Sequence, residues 1–511
     1  MDDFKYLPEN AHYFDSACQS LRPQPVLDAL NDYYLNFNSC GERVKYAWGR
    51  KVDEKVEETR EVVLDLLKLK EKDYFVSFTL NTTYGLNLLL SQLELPVSKV
   101  ITSEIEHNSV FLSTIEFAKK HQIERIVLER EEDGSISLEN DFSKALVVVN
   151  AASNIDGRRL ENIKKLVKKI KKQGGFVIID AAQALGSSYE LLQKVPADAI
   201  VSSAHKMYSA SLGIMVVRKD FAKFVKTSFV GGGMVSGVSK EFYEVLGDEH
   251  IHALFEPGLQ AWGEIIALKT AIDWLKKQKK TSRVDEFSKD IFEFLKKQKG
   301  VNILNKKPNP VISFYHDKLD AHLIAQALSD EGIMVRSGYF CAHYYLKEVR
   351  KLPHLVRISI GLHNTEADVV KLKEVVVLGK NNAPHEKPLE PVYPECYILF
   401  SGRAIANGVA GMIKSGLGLF HEFSKLQNRT VQFGNNPNQV HHTFRHVDDM
   451  GLNRNMVRSS VINDLKRISN IPVGKPVNRI INVSGDKLQY TVFKRLENGE
   501  YIYNIGRIHG I

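Results

Sequence analysis

The sequence of 511 residues contains few cysteines and no long apolar run. Its four cysteines are far apart, at Cys18, Cys40, Cys341 and Cys396. Cysteines so few and so scattered exclude a disulfide-rich secreted scaffold and favour a reducing, cytoplasmic setting. Because no stretch of about 18 uninterrupted apolar residues occurs, we expect no membrane-spanning helix and no membrane partner.

The N-terminus, MDDFKYLPEN, lacks the basic and apolar segments of a secretory signal. Hydrophobic residues make up 43% of the chain and charged residues 25%, which is typical of a soluble globular protein. A chain of this length exceeds one ordinary hydrophobic core, so we expect two to four domains.

Positive charge is concentrated in the C-terminal part. From residue 391 to 511 there are 15 Lys and Arg against 8 Asp and Glu, a net charge of +7, and the whole chain carries +8. The first 390 residues therefore carry only +1. A nearly neutral body is followed by a basic segment, which is a weak indication of contact with a polyanion.

Two apolar segments end in residues that suit a cofactor. Phe176–Asp180 predicts a buried parallel strand with a carboxylate at its C-terminal end, and Ala197–Val201 predicts its neighbour, with Lys206 just beyond. An amine and a carboxylate at one sheet edge suit pyridoxal phosphate, because a lysine bonds to its aldehyde and an aspartate keeps its ring nitrogen protonated. Taken singly, each residue has a simpler explanation, a solvated lysine and a helix-capping aspartate.

Other strand ends carry further candidates. A strand stops at Asn81, and a helix begins with Thr82 and Thr83, whose hydroxyls and free N–H groups predict a phosphate site. A plain helix cap is the alternative for this turn. His107 follows the strand that contains Ile101, and Asn154 follows the buried strand Ala145–Asn150.

These segments resemble the class V aminotransferase superfamily, and within it the SufS-like cysteine desulfurases, over about residues 13–377. The match includes the arm that starts at Tyr13, the segment Val335–His343 and the segment Leu355–Glu366. The resemblance implies an α/β protein with the fold-type I architecture, a large mostly parallel-sheet domain and a small α+β domain, and a homodimer. It also implies cofactor-binding roles for a set of residues, namely Thr82, Thr83, His107, Asn154, Asp180, Gln183, Ser203, His205 and Lys206.

The same resemblance implies the chemistry. Cys341 corresponds to a thiolate on a loop that approaches the sulfur of bound L-cysteine, with Arg336 and His343 as nearby cations. Arg357 corresponds to the group that holds the substrate carboxylate, with Asn154 beside it. Lys206, Cys341 and His107 are the expected catalytic residues. An inert buried Cys341, and an Arg357 paired with a structural carboxylate, remain the alternatives.

The expected reaction converts L-cysteine to alanine, leaves a persulfide on Cys341 and passes the sulfur to an acceptor protein. A class V aminotransferase or lyase with another amino acid substrate is the alternative. Several residues depart from the family pattern: Ala151 replaces a histidine, Leu259 a threonine, and Tyr339 and Phe340 a histidine pair. We interpret Cys18, in the N-terminal arm, as a small buried hydrophobe.

The resemblance implies a cofactor-binding domain at 1–285 and a small lobe at 286–378. Composition changes then predict a Pro-rich linker with a Gly/Ala-rich segment at 379–435 and a C-terminal domain at 436–511. The last part predicts an amphipathic helix ending at Leu465 and three antiparallel strands, Asn478–Val483, Lys487–Leu496 and Glu500–Ile508.

The C-terminal part resembles the ribonuclease domains of bacterial polymorphic toxins of the colicin type, which cleave tRNA without metal. Such cleavage needs a base, an acid and cations. The residues that could supply them are His442, Arg445, His446, Thr491, Lys494 and Arg507. A metal site at the histidines ranks lower, because Asp448 and Asp449 are the only acidic ligands nearby. A noncatalytic binding module is the other alternative.

Overall fold

The computed structural model describes residues 2–42, 44–278, 282–377, 429–433, 437–450, 452–466, 471–483, 485–497 and 500–511. The chain divides into two compact units, with the boundary between Ser401 and Gly402. The predicted linker and Gly/Ala-rich segment, 379–435, fall outside the described residues except for 429–433. Among the described helices, none combines the length and the apolar character that crossing a membrane requires.

The first unit alternates strands and helices along the chain. Its strands are β1 (His12–Tyr13), β2 (Tyr74–Thr79), β3 (Lys99–Ser103), β4 (Glu124–Leu128), β5 (Ala145–Asn150), β6 (Phe176–Asp180), β7 (Ala199–Ser203), β8 (Gly213–Arg218), β9 (Val235–Val238), β10 (Tyr243–Val245), β11 (Val301–Ile303), β12 (Val311–His316), β13 (Ile333–Met334), β14 (Arg336–Gly338) and β15 (Leu355–Ser359). Its helices are α1 (Gln24–Asn36), α2 (Ala47–Leu67), α3 (Thr82–Gln92), α4 (Asn108–His121), α5 (Ile163–Lys172), α6 (Ala184–Ser187), α7 (Lys219–Ala222), α8 (Trp262–Gln278), α9 (Val284–Lys296), α10 (Ala321–Asp330) and α11 (Glu366–Val377).

A seven-stranded sheet forms the centre of this unit, in the order β2-β8-β7-β6-β5-β3-β4. All its pairs are parallel except those of β8, which is antiparallel to both neighbours. The strands β5 and β7 are buried along their whole length, because helices cover both faces of the sheet. The predicted strand Ala197–Val201 is displaced by two residues, because Asp198 turns its carboxylate onto the N–H of Val177 before the ladder begins.

A second, antiparallel sheet lies C-terminal to α8, in the order β11-β12-β15-β14. In this sheet Arg336 of β14 is the register partner of Arg357 of β15. The N-terminal arm joins this region, since β1 pairs with β13 in parallel and Asp15 forms a bridge with Ser359. Backbone pairing therefore fixes the position of the N-terminal arm relative to the small sheet.

The second unit has a core of its own. Its elements are β16 (Arg429–Gln432), α12 (Pro437–Asp449), α13 (Arg454–Lys466), β17 (Pro476–Val483), β18 (Asp486–Glu497) and β19 (Glu500–Gly510). The strand order is β16-β19-β18-β17, with β16 parallel to β19 and the other pairs antiparallel. The three predicted strands are confirmed, each somewhat longer than predicted. The histidine-rich segment forms the helix α12.

Candidate active site

Two parallel strands deliver the predicted aspartate and lysine to one cavity. Asp180 ends β6, and Lys206 lies in the 3-10 turn Ala204–Lys206 directly after β7. The two strands are neighbours in the sheet, as predicted. Both side chains line a cavity of about 270 Å³. The structure therefore places this carboxylate and this amine in one site.

Burial controls the charge of both groups. It raises the pKa of Asp180, against the opposing effects of the Ala182 N–H and the Lys206 charge. It lowers the pKa of Lys206, and the Asp180 carboxylate is the largest influence in the other direction. A lysine whose protonated form is disfavoured can act as a nucleophile or a base.

Hydroxyl groups converge where α3 begins. Asn81 caps this helix, since its Oδ1 accepts the N–H of Tyr84 at 2.9 Å. Ser203 Oγ accepts the N–H of Thr82 at 2.9 Å and lies 2.6 Å from Thr82 Oγ1. Thr83 Oγ1 lies 2.6 Å from the hydroxyl of Ser109. These residues line the cavity that holds Lys206, and a helix N-terminus with converging hydroxyls suits a phosphate.

His107 caps α4 at the same cavity. Its Nδ1 accepts the N–H of Ser109 at 3.1 Å, so the ring orientation is fixed. Burial lowers the pKa of His107 to about 4, and the charges of Lys206, Arg357 and Arg336 add to the effect. The imidazole is therefore neutral near pH 7, which suits a ring that stacks on a cofactor.

Gln183 and His205 also line the cavity. Gln183 Nε2 donates to the carbonyl of Ala17 at 2.6 Å, which ties the N-terminal arm to the turn after β6. Burial, followed by the Lys206 and Arg22 charges, lowers the pKa of His205 to about 4. Both predicted cofactor ligands are thus placed at the site.

Asn154 and Arg357 meet on another wall of the cavity. Arg357 Nη1 donates to the carbonyl of Asn154 at 3.0 Å, and Asn154 Nδ2 donates to the carbonyl of Phe340 at 2.7 Å. Arg357 is 2% exposed and Asn154 5%. Within the described residues, Arg357 Nε and Asn154 Oδ1 are buried without a hydrogen-bond partner. Both residues line the cavity, and each has a polar atom whose hydrogen bonding the described residues do not satisfy.

Arg357 also has a partner within the chain that we did not predict. Its Nη2 donates to Asp15 Oδ1 at 2.8 Å. Arg357 thus makes one contact of the kind that the alternative predicted, a pair with a carboxylate of the chain itself. The resemblance of the Tyr13 arm to the family was the available signal for Asp15, but sequence distance concealed the pairing.

The predicted nucleophile lies on a constrained loop at the cavity. Phe340 and Cys341 have φ angles of 49° and 58°, in the left-handed region. The N–H of Asn108 donates to the carbonyl of Cys341 at 2.7 Å and holds the loop against the start of α4. Cys341 is half-buried and lines the cavity with Lys206. Consecutive left-handed residues outside glycine are sparsely populated and occur where the surrounding structure enforces them.

The interpretation of Cys18 as a small buried hydrophobe is wrong. Cys18 is half-buried and lines the cavity, and Arg336 Nη1 donates to its Sγ at 2.6 Å. Arg336, which we predicted beside Cys341, thus contacts the other thiol. The other predicted cation, His343, has its Nδ1 3.3 Å from Asn108 Nδ2. Neither contact could be read from local sequence.

A buried ion pair behind the site was also missed. Glu106 and Arg130 are fully buried, and their side chains meet at 3.0 Å. Glu106 Oε2 also accepts the N–H of Asn150 at 2.7 Å. The pair links the end of β5 to the residue that precedes His107, so it positions the cavity wall. The only sequence signal was a charged residue next to His107.

Two departures from the family pattern have clear positions. Ala151 is fully buried in the core of the first unit. Leu259 is 77% exposed, and the neighbouring Gln260 donates to the carbonyls of Pro257 and Gly258, each at 3.4 Å. Gln260 is therefore partly engaged with its own turn.

The predicted ribonuclease residues are spread over the second unit. His446 lies on α12, with its Nδ1 3.7 Å from Asp449 Oδ2. Thr491 hydrogen-bonds Asn478 Oδ1 at 2.7 Å, on the sheet face opposite the buried Tyr490. Because the buried face packs against the helices, the structure does not bring Thr491 to His446.

The remaining residues of that prediction are also dispersed. Arg445 and Arg507 are exposed, and Lys494 Nζ lies 5.6 Å from the ring centre of Tyr503. The side chain of His442 lies outside the described residues. The ribonuclease interpretation stays a prediction.

The cavity residues fit pyridoxal phosphate. An amine and a carboxylate lie at neighbouring strand ends, hydroxyls and a helix N-terminus suit the phosphate, and a neutral imidazole is available for the ring. Asn154 and Arg357 line the same cavity, so both side chains are placed beside a ligand bound there. Within the part of the chain that the structure describes, the group of side chains close enough to hold a metal is Glu42, His252 and Glu256, and none of the three lines this cavity.

Comparisons with known proteins agree with this geometry. The family model described as aminotransferase class-V matches residues 12–372. A probable cysteine desulfurase of Pyrococcus abyssi is 29% identical over 382 residues, covering 71% of this chain and 92% of that protein. A probable cysteine desulfurase of Haemophilus influenzae is 28% identical, covering 70% of this chain and 83% of the relative.

Solved structures show the same fold. The apo cysteine desulfurase of Thermococcus onnurineus has a TM-score of 0.65 and 27% identity, covering 71% of this chain and 93% of its own. The Escherichia coli cysteine desulfurase CsdA has a TM-score of 0.65 and 20% identity, and the match covers 73% of this chain and 95% of CsdA. A C-DES variant with glycine linked to its pyridoxal phosphate has a TM-score of 0.60, 16% identity, and covers 72% and 96%.

The fold, the cavity and the family match lead to one assignment. The match covers well over half of the chain and includes Asp180, Lys206, Cys341 and Arg357. The protein belongs to the aminotransferase class-V family and is a pyridoxal phosphate-dependent enzyme of fold type I.

Proposed function

We propose that the enzyme is a cysteine desulfurase, which converts L-cysteine to alanine and transfers the sulfur to Cys341. One observation carries the proposal: the Cys341 thiol lines the same cavity as Lys206 and Asp180. The similarity to probable cysteine desulfurases supports it. An aminotransferase needs no thiol at this position, whereas a desulfurase requires one.

Each residue has a defined task in this reaction. When bound, pyridoxal phosphate supplies an electron sink for the charge that develops at the substrate Cα. Lys206, which burial favours in its neutral form, removes the Cα proton. Asp180 keeps the cofactor ring nitrogen protonated, and Arg357 with Asn154 orients the substrate carboxylate.

The sulfur transfer balances without an added oxidant. The Cys341 thiolate attacks the substrate sulfur, a sulfur–sulfur bond forms, and the bond between Cβ and sulfur breaks. The electron pair of the broken bond remains on carbon, Cβ takes up a proton, and return of the proton from Lys206 to Cα completes alanine. The constrained loop around Phe340 positions the thiol for this attack.

Alanine release tests the proposal. With L-cysteine, the wild-type protein should form alanine, and Cys341→Ala should lose this activity. Cys40→Ser is the matched control, because the Cys40 thiol donates to its neighbouring carbonyl of Gly41 and is not a cavity residue. Undiminished alanine formation by Cys341→Ala would refute the transfer step. A panel of other amino acids tests the alternative of a different substrate.

For the second unit the proposed activity is binding or cleavage of RNA, supported by the net charge of +7 between residues 391 and 511. His446 is the candidate base, because it belongs to the segment that resembles the toxin motif and its Nδ1 lies 3.7 Å from Asp449 Oδ2. Incubation of the full chain with tRNA, compared with His446→Ala, tests cleavage. Retardation of uncleaved tRNA would indicate a binding module instead.

A further inference from the structure

The cavity contains two thiols. Cys18 and Cys341 both line it, together with Lys206, and both are free. They come from opposite ends of the first unit, Cys18 from the N-terminal arm and Cys341 from the loop after β14. The third described cysteine, Cys40, is not among the cavity residues.

Cys18 lies against a fixed cation. Arg336 Nη1 donates to Cys18 Sγ at 2.6 Å. Arg336 begins β14, and Cys341 follows five positions later on the loop that β14 leads into. The strand β14 therefore carries the cation that contacts Cys18 and leads into the loop that carries Cys341. A thiolate next to a guanidinium is in the electropositive surroundings typical of reactive cysteines.

The backbone around Cys18 is held on both sides. The N–H of Cys18 donates to the carbonyl of Asp15 at 3.0 Å. The adjacent Ala17 donates its N–H to Ser359 Oγ at 2.9 Å and accepts from Gln183 Nε2 at 2.6 Å. The backbone that carries Cys18 is thus fixed, and its thiol lines the same cavity as Cys341.

We propose that Cys18 is a second sulfur-carrying residue, which takes the terminal sulfur from the persulfide of Cys341. The proposal rests on the proposed function, because that reaction loads Cys341. The Cys18 thiolate attacks the terminal sulfur, the sulfur–sulfur bond to Cys341 breaks, and Cys341 leaves as a thiolate. One thiolate replaces another, so the step needs no oxidant or reductant.

This transfer gives Arg336 a role as a positioning residue. Its guanidinium lies against the sulfur of Cys18, which receives the transferred sulfur, and after the step Cys341 is free to react with another substrate. Arg357 lines the same cavity, so a second guanidinium lies on its wall. Arg336 therefore positions Cys18 for the transfer that frees Cys341 to take up sulfur again.

The location of the sulfur tests the proposal. The full chain, loaded with pyridoxal phosphate, is given L-cysteine, alkylated and analysed by peptide mass spectrometry without reductant. In the wild type we expect an additional sulfur on the Cys18 and Cys341 peptides, and none on Cys40. In Cys18→Ser the sulfur should stay longer on Cys341. In Cys341→Ser the Cys18 peptide should carry none.

Several outcomes would overturn the proposal, and they are distinguishable from failure of the proposed function. Sulfur on Cys341 but never on Cys18 overturns the relay and leaves the desulfurase intact. Sulfur on Cys18 in Cys341→Ser overturns it too, because Cys18 would then take sulfur from substrate directly. Absence of sulfur from both peptides in the wild type refutes the desulfurase and the relay together.

A measurement without turnover checks the geometry. Mild oxidation of the protein with diamide, in the absence of L-cysteine, should form a Cys18–Cys341 disulfide and leave Cys40 unpaired. If the two thiols never cross-link, they do not reach bonding distance and the proposal fails. Arg336→Gln, which removes the charge, should reduce the sulfur found on Cys18 and raise the amount that remains on Cys341.

Discussion

Arg357 donates to Asp15 at 2.8 Å while its Nε, also buried, has no hydrogen-bond partner within the described residues. The N-terminal arm therefore orients a guanidinium that lines the cavity. In the proposed reaction Asp15 is a positioning residue, and Arg357 is the group proposed to contact the substrate carboxylate.

Arg357→Lys should lower kcat/KM for L-cysteine by about 10-fold to 100-fold, since a hydrogen bond to a charged group contributes about 1.5–3 kcal/mol and lysine cannot form the paired contact. Asp15→Asn should have a smaller effect on kcat/KM for L-cysteine than Arg357→Lys. Steady-state alanine formation measures both. Arg218→Lys, at the far end of β8, is the control. Equal KM values for Arg357→Lys and the wild type would exclude a role in carboxylate binding.

Lys206→Ala should eliminate the visible-edge absorbance of the bound cofactor and lower turnover by a factor of about 10²–10⁴ or more, because the covalent anchor and the base are lost together. Absorbance spectra of the protein with added pyridoxal phosphate check this. Lys223→Ala, an exposed lysine on the surface, should behave as the wild type. A Lys206→Ala spectrum identical to that of the wild type would contradict the assignment.

The low pKa of His107 predicts a pH-dependent stability. Its folded-state pKa of about 4 lies below the unfolded value of about 6.5, so the unfolded state binds more protons between these values. The stabilisation is fully present above pH 6.5 and decreases as the pH falls towards 4, by at most about 3 kcal/mol.

Urea unfolding at pH 7.5, 6 and 5 measures this effect. The loss of stability on acidification should be smaller in His107→Gln than in the wild type, whereas the exposed His250→Gln should follow the wild type. An unchanged pH dependence in His107→Gln would show that this imidazole does not remain neutral on folding.

Breaking the buried Glu106–Arg130 pair should be strongly destabilising. Glu106→Gln leaves a buried guanidinium without its countercharge, so we expect a loss of about 3–5 kcal/mol in the free energy of unfolding. Glu116→Gln breaks the exposed pair with Lys119 and should change the free energy of unfolding by less than about 1 kcal/mol. Chemical denaturation measures the free energy of unfolding of both variants. Similar losses in Glu106→Gln and Glu116→Gln would mean that the buried pair does not stabilise the cavity wall.

Much of the fold could be predicted because it is encoded locally. Continuous apolar, β-branched runs predict buried parallel strands, and the residues just after Phe176–Asp180 and the following strand are therefore near one sheet edge. The cap at Asn81 is equally local, since its side chain bonds to a backbone group three residues away. The start of β7 moved by two residues, since the Asp198 carboxylate accepts the N–H of Val177 before the ladder begins.

The sequence by itself determined the strand and helix pattern, the cofactor-binding pair of Asp180 and Lys206, and the presence of a thiol at Cys341. Only the tertiary structure decided that Arg336 contacts Cys18, 318 residues away, and that Arg357 pairs with Asp15, 342 residues away. Such contacts depend on how the arm and the small sheet are placed beside each other. Local patterns report periodicity and turn chemistry, but they carry no information on which distant side chain will meet a given charge.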